Sequence, residues 1–103
     1  MLNQVVVIGR IYNDLELKDG KLEIILAVPK REKNEEGIYE TDYIPIVLEG
    51  GVAEKTIKYC NKGDLVGAKG IISSVTMASG YDIHIVAERI TFLSSTHPDK
   101  EEV

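Results

Sequence analysis

TDYIPIVLEGGVAEKTIKYCNKGDLVGAKG, residues 41–70, changes its hydrophobic period twice. Ile44, Ile46 and Leu48 alternate with Tyr43, Pro45, Val47 and Glu49, the period of a half-buried strand. The strand is predicted over Tyr39–Glu49, with the isoleucines and Leu48 inward and Tyr39, Thr41, Tyr43, Pro45, Val47 and Glu49 outward. Pro45 has no N–H to give, so one side of the strand is predicted to lack a partner near it. Gly50-Gly51 then break the strand. Val52, Ala53, Thr56, Ile57 and Cys60 follow on one side of a short amphipathic helix. Lys62 and Gly63 supply a cation and a glycine stop to that helix. Leu65 to about Thr76 reads as a strand again, with Gly67 and Gly70 inside it. The outward face of the first of these strands ends on an acid, Glu49, which is unexpected for a surface meant to meet a ligand.

The rest of the chain extends the pattern. Leu2 to Ile11 holds Val5-Val6-Val7-Ile8, apolar on both faces, with Gly9 marking a bend or bulge. Asp19-Gly20 is a turn, and Leu22, Ile24, Leu26 and Val28 alternate until Pro29 ends the second strand. Lys30 to Gly37, KREKNEEG, is a charged loop without periodicity. ASGYD turns after the fourth strand, and Ile83 to Leu93 closes the sheet. Short strands rich in Val and Ile, punctuated by turn residues, indicate an all-β sandwich or barrel. The order β-β-β-α-β-β is the connectivity of an OB-fold: a five-stranded barrel with one short helix between strands three and four. Residues 1–95 form that domain, and 96–103 a short polar tail.

Composition narrows the chemistry. A chain of 103 residues makes one domain. No segment is long and apolar enough to span a bilayer, and no secretory leader is read. One cysteine excludes an internal disulfide framework, so a cytoplasmic protein is expected. The net charge is −5, of which Asp99, Glu101 and Glu102 against Lys100 give −2. Phosphate-binding proteins usually carry a basic excess, so nucleic-acid binding requires a local clustering of cations. His84, His97 and Cys60 make no metal-ligand spacing, GAKG is not in the context of a phosphate loop, and no nucleophile–base set emerges. An enzyme is not expected, nor a cofactor.

MLNQVVVIGRI, the stretch from Thr41 to Gly70, and VAERITFLSS together resemble bacterial single-stranded DNA-binding proteins, over Met1 to about Ser95. The resemblance implies an OB-fold subunit that assembles into a homotetramer, or at the least a dimer. It implies sequence-tolerant binding of single-stranded DNA in replication, repair or recombination, with replication or repair proteins as further partners. Four consecutive branched residues in the first strand point the same way, because their outward members need a cover, whether a second subunit or, alternatively, a loop or the helix of the same chain.

Such binding stacks bases on rings and holds the backbone with cations. Tyr43 matches the family's ring positions. Glu32, Glu49 and Met77 stand where it often carries aromatics, Val75 falls near a common arginine, and Gly51 replaces a common lysine. Weaker binding than in typical members is expected. Candidate contacts are Tyr43 as a stacking ring and Lys30, Arg31 and Lys33 as a basic loop patch interleaved with Glu32, Glu35 and Glu36. Tyr81 and Met77 stand at the last hairpin, with Arg10, Lys62 and Lys69 as backbone cations. For each a bland reading exists: a cross-strand packing partner, a solvated loop or a surface charge. The alternative function is an OB-fold oligomer of the primosomal type that binds proteins and little DNA. Its motive is the acidic balance and the lost rings. The tail THPDKEEV is only a faint echo of the family's acidic tip.

Overall fold

The computed structural model describes residues 2–95. Six elements follow in order: β1 (Val5–Ile11), β2 (Lys21–Pro29), β3 (Thr41–Glu49), α1 (Gly50–Tyr59), β4 (Leu65–Met77) and β5 (Gly80–Ser94). The strands close a barrel in the order β1-β2-β3-β5-β4. Every neighbouring pair is antiparallel except β3 and β5, which run parallel through Ile46↔Ile85 and Val47↔Val86. This is the OB-fold barrel expected from the sequence. The β3–β5 ladder starts directly after Pro45, so the proline stands where β3 has no β5 partner to serve.

The alternating residues of β2 and β3 build the core. Leu22, Ile24 and Leu26 are buried and lie opposite Leu48, Ile46 and Ile44. Ile11 and Val66 complete the interior from β1 and β4. α1 packs against β2, β3 and β5, burying Ala53 and Thr56. The Asp19-Gly20 turn is a tight hairpin: both residues have positive φ, and Lys18 and Lys21 exchange backbone hydrogen bonds of 2.9 Å.

Several boundaries differ from the sequence reading, each for a local reason. β1 begins at Val5, not Leu2. Asn3 brackets Ile72 through its side chain, donating to the Ile72 carbonyl at 2.8 Å and accepting the Ile72 N–H at 2.9 Å, so side chain replaces ladder there. β3 begins at Thr41, because Asn34 closes its own turn with Glu36, Gly37 and Ile38. Gly50 and Gly51 do not separate strand from helix; they are its first two residues. The helix ends at Tyr59, where the Cys60 N–H still donates to Thr56. Gly63 lies beyond it in the turn to β4, donating to the Ile11 carbonyl at 2.7 Å.

Gly9 sits at a close approach and not at a bulge. A Cβ there would stand 2.7 Å from the Ala27 oxygen, just before β1, still paired with β4 through Arg10, begins its ladder with β2. The register shifts fall instead at Leu65/Val66 and Lys69/Gly70. The last turn shrinks to Ala78-Ser79, since Met77 and Gly80 pair, and β5 runs on to Ser94. The polar tail 96–103, including His97, lies outside the described residues.

Candidate nucleic-acid interface

Directly opposed residues on neighbouring strands share a face. Arg10 opposes Ala27, and Ala27 opposes Tyr43. The three form one row across the outer surface of β1, β2 and β3, spanning about 10 Å at the usual strand spacing. Tyr12 follows two positions after Arg10 and meets Tyr43 ring to ring, with centroids 4.7 Å apart and planes tilted by 58°. The two rings are 55% and 54% exposed, so each fixes the other while leaving surface for a further aromatic group. Ile25, Ala27 and Pro45 are the small and apolar residues beside them, with Ile25 opposite Pro45.

Cations stand at one end of this row. An Arg10 Nη donates to the Gly63 carbonyl at 3.0 Å, which holds the guanidinium against the turn carrying Lys62. The β2–β3 loop is less basic than its sequence suggests. Lys30 is committed to Asp42 in an ion pair and hydrogen bond. That hydrogen bond, then the Asp42 charge, hold the Lys30 ammonium proton to higher pH than an ordinary lysine. Lys33 lies 5.6 Å over the Tyr39 ring, and Arg31 is exposed.

The remaining candidates are elsewhere. Lys69 opposes Val6 on one side and Arg89 on the other. Tyr81 pairs with Thr76 and Met77 with Gly80, so the two hairpin candidates lie on opposite faces of the β4–β5 arm and cannot grip one base together. Glu49 receives its explanation from register. It opposes Lys21, whose ammonium is 3.6 Å from Oε1, so the acid at the end of β3 is matched by a cation. Both partners are exposed and the pair contributes little to stability.

Tyr12 was not among the sequence candidates. Its parity with Arg10 placed it on the same face, but its contact with Tyr43 follows from the β1–β2–β3 register. Among other titratable groups, His84 Nε2 is 2.9 Å from Asp82, and Cys60 is buried, its thiol pushed up by burial and then by the charge of Asp64.

A closed five-stranded barrel with its helix between β3 and β4 defines the class: this is an OB-fold protein. Residues 2–93 match the single-strand binding protein family, and the chain belongs to that family. It is 42% identical to single-stranded DNA-binding protein 3 of Clostridium acetobutylicum, an alignment covering 89% of this chain and 71% of that protein. Single-stranded DNA-binding protein B of Bacillus subtilis is 32% identical, with 97% of both chains covered. The fold resembles a deletion mutant of the single-stranded DNA binding protein from Thermus aquaticus, at a TM-score of 0.73 and 24% identity. That match covers 93% of this chain and about half, 52%, of the other.

Proposed function

We infer that the protein binds single-stranded DNA without sequence preference. The match to the single-strand binding protein family over residues 2–93 carries this reading. We assign the contact to the outer surface of β1, β2 and β3. There Tyr43 and Tyr12 stack bases, and Arg10 and Lys62 follow the backbone, the combination that sequence-tolerant strand binding uses. Arg31 and Lys33 add cations from the loop, and Tyr81 extends the path over one face of the β4–β5 arm, whereas Met77 lies on the other face and Lys69 in the row of Val6, and neither is assigned to the path. Lys30 contributes less, being neutralised by Asp42. With few rings and a net charge of −5, the affinity is set below that of more aromatic, more basic members. Replication, repair or recombination is the setting for such a protein.

Assembly into a homo-oligomer, a tetramer by the family's habit, is part of the proposal. Val6 and Ile8 on β1 and Leu93 on β5 are exposed. Ile8 and Leu93 flank Gly67 from both sides, at 3.8 and 4.0 Å from where its Cβ would be. Covering the part of each side chain that remains exposed gains roughly 1–1.5 kcal/mol, about half of a full burial, and a second copy is the simplest cover. A protein-binding module with little DNA affinity is not favoured: relatives that align along most or all of their length are named for single-stranded DNA binding. No helix among the described residues is long and apolar enough to cross a membrane.

Fluorescence polarisation at low salt tests the reading. Labelled oligo-dT is expected to bind, a duplex of the same length to bind far more weakly, and log affinity to fall with log salt by about 0.7 per neutralised phosphate. Failure of oligo-dT to bind at roughly 10–100 µM protein, the range of weak non-specific association, rejects it.

A further inference from the structure

We propose that the open groove between α1 and β5 is a second contact for single-stranded nucleic acid, in which Tyr59 and Phe92 stack bases and Lys55 and Arg89 hold phosphates. The proposal rests on the single-strand reading above and adds to it a surface on another side of the barrel. The groove encloses about 680 Å³ and is lined by these four residues, with Val52 and Ile90 among its apolar walls. Tyr59 ends the helix and is 61% exposed; Phe92, the chain's only phenylalanine, is 46% exposed although its strand partner Val66 is fully buried. Two rings from different elements are thus left in water around one cavity.

Charge selects the occupant. Lys55 and Arg89 line the groove against one carboxylate, Glu88, in a chain whose total charge is negative. Lys58 adds a third cation 5.4 Å over the Tyr59 ring. Rings, cations and an apolar wall in one open channel are what a strand needs when its bases are held by stacking and its backbone by charge. An acidic peptide would use the cations but has no need of two exposed ring faces.

The test compares a short oligo-dT of about 5 nucleotides, which fits the β1–β2–β3 surface alone, with one of about 16, the upper end of single-barrel site sizes. Two variants are used, the charge reversal Lys55→Glu/Arg89→Glu and Phe92→Ala, all at exposed positions. Melting curves confirm that both fold. The charge reversal is expected to weaken the long strand at least ~10-fold and to lower its salt slope by about 1.4, two contacts' worth. Phe92→Ala is expected to weaken the long strand about 5-fold at unchanged slope. Short-strand binding stays at the wild-type value in both. Wild-type affinity and slope in both variants, with the long strand bound, overturns the groove and assigns it to another occupant. Equal losses on both lengths overturn it as a separate contact. Wild-type protein that binds neither length overturns the single-strand reading itself, and the groove with it.

Discussion

Tyr43→Ala lowers the affinity for oligo-dT by roughly 5- to 150-fold, the effect of one lost base stack of ~1–3 kcal/mol. Tyr43 stands in the middle of the β1–β2–β3 surface, in line with Arg10 and Ala27, and Tyr12 sets its ring at a fixed tilt. Tyr43→Phe keeps the ring and is expected to keep most of the affinity. Lys62→Ala removes one exposed cation. Its loss is smaller and fades as salt rises, because exposed charges are screened. Equilibrium titrations of the three variants at two salt concentrations check the ordering. A larger loss in Lys62→Ala than in Tyr43→Ala makes binding electrostatic and removes the stacking role.

Gly70→Ala is expected to destabilise the fold by ~3 kcal/mol, the upper end of what overpacking usually costs, and to lower Tm by roughly 12–24 °C for a domain of this size. The added Cβ would lie 2.0 Å from the Val86 oxygen, 2.8 Å from its carbonyl carbon and 2.9 Å from Ala87 Cα. All three are backbone atoms, and β4 cannot retreat from them because Val5 of β1 holds it from the other side. The register shift at Lys69/Gly70 occurs at this crowded point. Gly51 provides the control: a Cβ there meets nothing within 4 Å, and as an early helical residue it is expected to become slightly more stable as alanine, by ~0.5–1 kcal/mol. Thermal melts by circular dichroism decide it. A Tm for Gly70→Ala within about 2 °C of wild type contradicts the close approach, since 1 kcal/mol moves Tm by more than that.

The barrel was readable from the sequence because burial imposes period 2 on β2 and β3, and because Ala53, Thr56 and Cys60 impose a helical period between β3 and β4. Element ends were less readable, for they depend on single side chains: Asn3 binding Ile72, or Asn34 closing its own turn. The interface was readable one residue at a time. Tyr43 and Arg10 could be placed outward, yet only cross-strand register sets them in one row with Tyr12 at its edge. A one-residue change in the last turn decides which face a side chain takes, so the two-residue Ala78-Ser79 turn separates Met77 from Tyr81. Two charges had meanings no local reading supplies. Lys30 is consumed by Asp42, and Glu49 is answered by Lys21. Tyr59 and Phe92 belong to different elements, and nothing in the spacing of the sequence joins them.

Photo-crosslinking tests the placement of the strand most directly. With oligo-dT carrying 5-iodouracil, irradiated at low salt and mapped by peptide mass spectrometry, adducts are predicted at Tyr43 or Tyr12. Adducts elsewhere on the chain with neither tyrosine modified would contradict the assignment of the outer β1–β2–β3 surface as the main DNA contact.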